Sequence, residues 1–219
     1  EKRLKGEYAR SNRVKEVSPR TLNLELAYFR AVFNELNRLG EWKGENPLKN
    51  MRPFRTEEME MAWLVQDQIA LLLGECKRHG HPDLETVVRI CLATGARWSE
   101  AESLKKSQLA KYKITYTNTK GKKNRTVPIS KELYDSLPDD RKGRLFSDCY
   151  GAFRSALERT GIELPAGQLT HVLRHTFASH FMMNGGNILV LQRVLGHTDI
   201  KMTMRYAHFA PDHLEDAVK

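Results

Sequence analysis

Cysteine is scarce in these 219 residues: three, Cys76, Cys91 and Cys149, without paired spacing. That excludes a disulfide framework and implies free thiols in a reducing compartment. No apolar run reaches membrane-spanning length, which excludes a helical membrane span within these residues, and no signal peptide opens them. No glycine-rich phosphate loop occurs either, so triphosphate chemistry of the P-loop kind is not indicated. Acidic residues are in deficit, with 27 Asp and Glu against 36 Lys and Arg for a formal net charge of +9. The deficit is local: residues 1–55 hold 13 cations against 7 acids, and Lys105 to Arg125 hold 8 cations and no acid. Two separate basic surfaces suit a long polyanion such as duplex DNA better than a small anion.

What is present is a globular composition, 40% hydrophobic and 29% charged, long enough for one large domain or two small ones. The chain opens at Glu1 inside a charged, weakly periodic run, which reads as part of something longer. Ser18-Pro19 starts a helix, with serine as N-cap and proline at the first helical position. Leu22, Leu26, Phe29, Phe33 and Leu36 then recur in steps of four and three until Gly40. Arg20, Asn23 and Arg30 lie off that stripe, on a solvated face or against phosphate. Gly40, Gly44, Asn46-Pro47 and Pro53 break residues 40–62 into a linker, and the domain boundary falls here, 1–54 against 55–219.

Two helical patterns follow, Gln66 to Lys77 and Leu84 to Leu92. The second enters a glycine turn, Thr94-Gly95-Ala96-Arg97, that feeds a further helix through Leu104. Between Lys111 and Ile129 the period changes to two, which predicts a hairpin whose turn lies at 120–124 and whose second strand, carrying Pro128, is an edge. Short helices are expected around Lys131 to Leu137 and Tyr150 to Thr160. The fold class is mainly α with a small antiparallel β-sheet.

The chemistry concentrates between Thr170 and Tyr206. His171 and Arg174 share one face of a helix whose core side is Leu173, Phe177 and Phe181. A second helix runs through Ile188, Leu191 and Val194 to Gly196-His197, and a third pattern, Ile200 to Ala207, presents Tyr206. Arg97 and Arg174 can grip the oxygens of one phosphate, and such cations stabilise most when the phosphorus is five-coordinate. Phosphoryl transfer then asks for an in-line nucleophile. Tyr206 can be that nucleophile, His171 its general base, and Lys120 at the hairpin tip the donor to the departing sugar oxygen. His171 and His175 also have the i,i+4 spacing of a zinc pair, but no Glu follows the first histidine and Arg174 would repel a cation, so no metal is expected.

TGARWSE, the lysine of NTKGKKNRTVPIS, HVLRHTFASH, LGHT and a tyrosine nine residues after its histidine, in this order, resemble the tyrosine recombinase (phage integrase) family, closest to integrases of temperate phages of enteric bacteria. SPRTLNLEL and the NPL linker resemble only the end of that family's helical core-binding domain. The resemblance implies the recombinase catalytic fold, two domains clamped around DNA, and site-specific recombination that integrates and excises phage DNA through a 3′-phosphotyrosine. It implies no cofactor. By motif, Arg97 and Arg174 match the arginine pair, His171 the histidine before the second arginine, Lys120 the hairpin lysine, His197 the phosphate-supporting histidine and Tyr206 the nucleophile. Glu100 matches a carboxylate that orients Arg97. Lys122 and Lys123 compete with Lys120 as proton donor, and with Arg125 they read as DNA-binding residues. Implied partners are duplex attachment sites, three further copies in a tetramer exchanging segments near the chain's end (Asp212 to Lys219), and a DNA-bending accessory protein, all in the cytoplasm of a bacterial host. The competing readings are relaxation of the type IB topoisomerase kind and DNA binding without catalysis.

Overall fold

The computed structural model describes residues 17–56, 60–117 and 124–211. The chain divides into two compact units, Glu1–Met59 and Glu60–Lys219. In the first, helix α1 spans Pro19–Arg38, and the Ser18 side chain accepts from Thr21 N at 3.2 Å. Proline costs nothing at this position, because the missing N–H would have had no partner within the helix. Past α1 the chain turns back and is strapped along it. Asn46 donates to Arg30 O and to Asn34, Arg30 Nε donates to Leu48 O at 2.9 Å and another guanidinium nitrogen donates to Met51 O, while Asn23 exchanges two hydrogen bonds with the Phe54 backbone. Phe33 packs edge-on against Trp42.

This corrects two expectations. Asn23 and Arg30 hold the returning strand instead of facing solvent or phosphate, because their side chains reach backbone groups that would otherwise be unpaired. Arg20 is exposed, as is Phe29 at 58%, so the apolar stripe buries Leu26 and leaves its middle open.

In the second unit, helices α2 (Gln66–His79) and α3 (Leu84–Thr94) pack with α6 (Tyr150–Thr160) and α7 (His171–Met183) around one core that includes Leu72, Val88, Ile90, Phe153 and Leu173. Each fully buried aliphatic side chain of this kind contributes about 1.5–3 kcal/mol. The short helix α4 (Trp98–Glu102) leads to a three-stranded antiparallel sheet in the order β1 (Leu109–Ala110), β2 (Lys113–Tyr116), β3 (Arg125–Pro128). The register sets Ile114 opposite Val127 and Tyr116 opposite Arg125. Strand β1, at two residues, is too short to show a period in the sequence. Strand β3 is an edge, where Pro128 removes no ladder bond. The hairpin tip, with Lys120, Lys122 and Lys123, lies outside the described residues, as does the segment from Asp212.

Helix α5 (Lys131–Asp135) is capped by Ser130, and α8 (Ile188–Leu195) by Asn187, whose side chain accepts from Leu189 N and Val190 N. Helix α7 does not have the polar side its periodicity suggested. Val172, Leu173, Arg174, Thr176, Ala178, Ser179 and Met182 are all buried, so it is enclosed almost all round. The last helical pattern is also shorter than expected: α9 covers Lys201–Met204, and Tyr206 stands in a turn before a 3-10 segment, Ala207–Phe209. Among the described residues no helix is long and apolar enough to cross a membrane.

Candidate active site

The α3–α4 turn supplies the first two charged groups. Gly95 ends α3 with φ +63°, and a Cβ there would lie 2.5 Å from Phe177 and 2.8 Å from Leu195. Only glycine meets both demands, the left-handed backbone and the close approach. The chain then re-enters a helix with Arg97 as the flanking residue, and the Glu100 carboxylate accepts from Arg97 N at 2.9 Å and Arg97 Nη1 at 3.0 Å. The same carboxylate takes both Arg125 Nη atoms, at 3.1 and 2.6 Å. Burial by itself raises the Glu100 pKa, but Arg125 first and Arg97 second more than reverse this and hold it at about 2.

Arg125 is 7% exposed, its guanidinium stacked 4.6 Å over the Tyr116 ring and its Cδ 3.2 Å from where a Cβ on Gly196 would sit. It is therefore enclosed, and the expectation that it lies on the DNA-binding surface beside Lys122 and Lys123 is corrected. The sequence did carry the signal: Arg125, Val127 and Ile129 fall on one face of an alternating strand, the face that is buried.

Arg174, 5% exposed, donates from Nη1 to Gly95 O and from Nη2 to Leu195 O, each at 2.7 Å. Burial, then the charges of Arg97 and Arg125, lower its pKa to about 10, which leaves it a cation at neutral pH. A guanidinium has five N–H donors, so two carbonyls fix its plane without exhausting it. His197, in the turn after Gly196, shares a hydrogen bond between Nδ1 and Thr203 Oγ1 at 2.8 Å. Burial, followed by Arg174, Arg97, Arg125 and Arg205, holds its pKa at about 4, so it is neutral in working conditions.

Tyr206 is 1% exposed, its ring seated among Ala178, Met182, Leu191 and Leu195. Its hydroxyl shares a hydrogen bond of 2.7 Å with Nδ1 of His175. Burial raises the phenol's pKa, while Arg174 and Arg205 pull against the rise. The imidazole at the phenol is thus His175 and not His171, which is exposed on the first turn of α7 with its ring centroid 6.3 Å from that of His175. Sequence reasoning weighed His175 only as a zinc ligand. One residue from Arg174 on an enclosed helix, it had no periodic signal to mark it. Arg205, exposed beside Tyr206, was also missed, although its charge acts on Tyr206, His175 and His197.

His175 at the hydroxyl and the charges of Arg174 and Arg205 thus act on one phenol, and Arg174 in turn lies within the field of Arg97, Arg125 and Glu100. Such a cluster has an excess of fixed positive charge and a latent oxygen nucleophile, which is what a phosphodiester undergoing displacement needs. Among the described residues no group of three or more His, Cys, Asp or Glu is arranged to hold a metal ion.

Comparison with known proteins agrees with this chemistry. Residues 62–213 match the model of the phage integrase family, and residues 3–55 that of the phage integrase N-terminal domain. The chain is 95% identical over its whole length to the integrase of Escherichia phage 186 and 63% identical to that of Haemophilus phage HP1, spanning 65% and 64% of those proteins. The solved catalytic domain of bacteriophage HP1 integrase superposes with a TM-score of 0.70 at 68% identity, covering 73% of this chain and 94% of that one.

Proposed function

Since the chain belongs to the phage integrase family, we propose that it breaks and rejoins duplex DNA at specific attachment sites, integrating and excising phage DNA as a tyrosine recombinase. In this reading the Tyr206 oxygen attacks a backbone phosphorus, forming an O–P bond while the bond to the 5′ oxygen of the next nucleotide breaks. The products are a 3′-phosphotyrosine and a free 5′-hydroxyl. The phenolic proton goes to an imidazole of α7, for which His171 at the exposed end is the candidate, and the departing oxygen receives one from Lys120. Attack by a 5′-hydroxyl of the second duplex reverses the step, and because the tyrosyl ester retains the phosphodiester's energy, no cofactor is consumed.

Arg97 and Arg174 would hold the non-bridging oxygens, His197 would add a hydrogen bond, and Glu100 would fix Arg97. The observation that carries the reading is the burial of a phenol beside an imidazole and within the field of Arg174 and Arg205, with Arg97 and Arg125 acting in turn on Arg174. A protein that merely bound DNA would have no use for such a phenol. Residues 1–54 are read as part of the helical core-binding domain and 55–219 as the catalytic one, with Arg20, which is exposed, and the hairpin lysines Lys122 and Lys123 as further phosphate contacts. Assembly is expected as a tetramer on two sites in the bacterial host's cytoplasm, with a DNA-bending helper. Incubating the protein with duplexes nicked one nucleotide to the 3′ side of the cleavage position, so that the short piece carrying the free 5′-hydroxyl diffuses away, should trap a covalent complex. Wild type should form it and Tyr206→Phe should not; absence of an adduct on a site the protein footprints would overturn the proposal.

A further inference from the structure

The phenol and the principal buried cation are registered to the same helix. Arg174 and His175 are consecutive in α7, whose enclosure fixes its backbone. Arg174 is locked from outside by the carbonyls of Gly95 and Leu195. Tyr206, by contrast, belongs to a weak piece of chain: a four-residue helix, a turn and a three-residue 3-10 segment. Elements that short have little stability of their own. Tyr206 N donates to Thr203 O at 2.9 Å and the ring lies in its apolar seat, but apolar contacts are not directional and leave the hydroxyl's place unspecified. Among the described residues, the hydrogen-bond partner of that hydroxyl is His175 Nδ1, at 2.7 Å.

We propose that His175 is the positioning residue of the nucleophile: by sharing a hydrogen bond with the phenol it fixes the Tyr206 oxygen at a set distance from Arg174, its neighbour on the same helix. The inference rests on the reading of Tyr206 as nucleophile. The contact serves this purpose whichever partner supplies the hydrogen, because the distance between oxygen and nitrogen is what is held. Burial first, then Arg205, His171, Arg174 and His197, favour the neutral form of His175 and bring its pKa down to about 4. The partner therefore keeps one charge state over the whole neutral range, so the geometry does not shift with pH there. Such a weak base is a poor final acceptor for a phenolic proton, which separates this role from general-base catalysis.

The test uses the nicked duplex that wild type attaches to, measuring single-turnover adduct formation against DNA concentration. His175→Leu should lower the maximal rate roughly 100-fold, the usual consequence of misplacing a reacting atom by about 1 Å, with the half-saturating DNA concentration unchanged. His175→Asn puts an amide near the Nδ1 position and should return the rate to within about tenfold of wild type, about 1.4 kcal/mol in barrier. His175→Gln, which extends to the Nε2 position instead, should not. Should the leucine variant fail to fold, the asparagine and glutamine variants decide between themselves, and equal rates would overturn the proposal. So would a leucine variant as fast as wild type, or rate losses that track only a lower melting temperature and weaker DNA binding. Wild type forming a Tyr206 adduct while His175→Leu matches it sinks the positioning role alone; no wild-type adduct sinks both.

Discussion

Replacing Glu100 by glutamine tests whether the arginine cluster depends on its one carboxylate. The side chains of Glu100 and Arg125 are 14% and 6% exposed, so the ion pair between them is well removed from water. A carboxyl held at about 2 against an ordinary 4.5 contributes about 3 kcal/mol to folding at neutral pH. An independent route gives the same size, since removing one partner of a buried pair costs about 3–5 kcal/mol through the charge left behind. Glutamine keeps some of the hydrogen bonds, so Glu100→Gln should lose about 3 kcal/mol of unfolding free energy in urea at pH 7. The sign with pH follows from the depressed pKa. The carboxylate's contribution is complete above about 4.5 and is lost as pH falls through 4.5 toward 2, so the gap between variant and wild type should hold steady from pH 8 to 5 and narrow below that. Maximal adduct formation should fall as well, because Arg97 loses the group that anchors it. A variant within 1 kcal/mol of wild type at pH 7, or a gap that widens on acidification, would refute the reasoning.

Gly95→Ala should be comparably harmful, because φ +63° and a Cβ 2.5 Å from Phe177 together cost about 2–5 kcal/mol; chemical denaturation measures this, and a neutral variant would mean that the turn can move. The same substitution should reduce cleavage beyond its effect on stability, since Gly95 O is one of the two carbonyls that orient Arg174. His175 and His197 are held at about 4 when folded, against about 6.5 unfolded. The unfolded chain therefore takes up their protons first, and stability should decline as pH drops from 6.5 to 4; melting temperatures across that window check it, and the decline should shrink in His175→Asn. Thr203→Val should leave the His197 ring without its 2.8 Å partner, at a cost of about 1 kcal/mol in denaturation, and slow cleavage without weakening DNA binding.

Much of the fold was legible where periodicity and punctuation agree. Ser18-Pro19 and Gly40 bracketed α1 because capping is local chemistry, and alternation around Ile114 and Val127 located the hairpin with its edge strand. The ordered motifs likewise picked out Arg97, Glu100, Arg174, His197 and Tyr206, which the fold gathers into one charged cluster. What failed depended on neighbours distant in sequence. Arg125 looked like one more cation in a lysine-rich hairpin, and only the carboxylate of Glu100 and the ring of Tyr116 explain its burial. Asn23 and Arg30 looked like surface residues because their acceptors lie 18 to 31 positions away along the chain. His175 shows in the sequence only as half of a zinc-like pair, and it takes the fold of helix α7 against the last turn to bring it to the phenol. Polar contacts of this kind leave no periodic trace, so the sequence offers the residues without saying which pairs will meet.

The most direct measurement is the chemical identity of the protein–DNA linkage. After proteolysis of the trapped complex, mass spectrometry should find one peptide containing Tyr206 joined through its phenolic oxygen to the 3′-phosphate of the cut strand. Attachment at another side chain, or to a 5′-phosphate, would contradict the convergence of Arg97, Arg174 and Tyr206 on a single phosphorus.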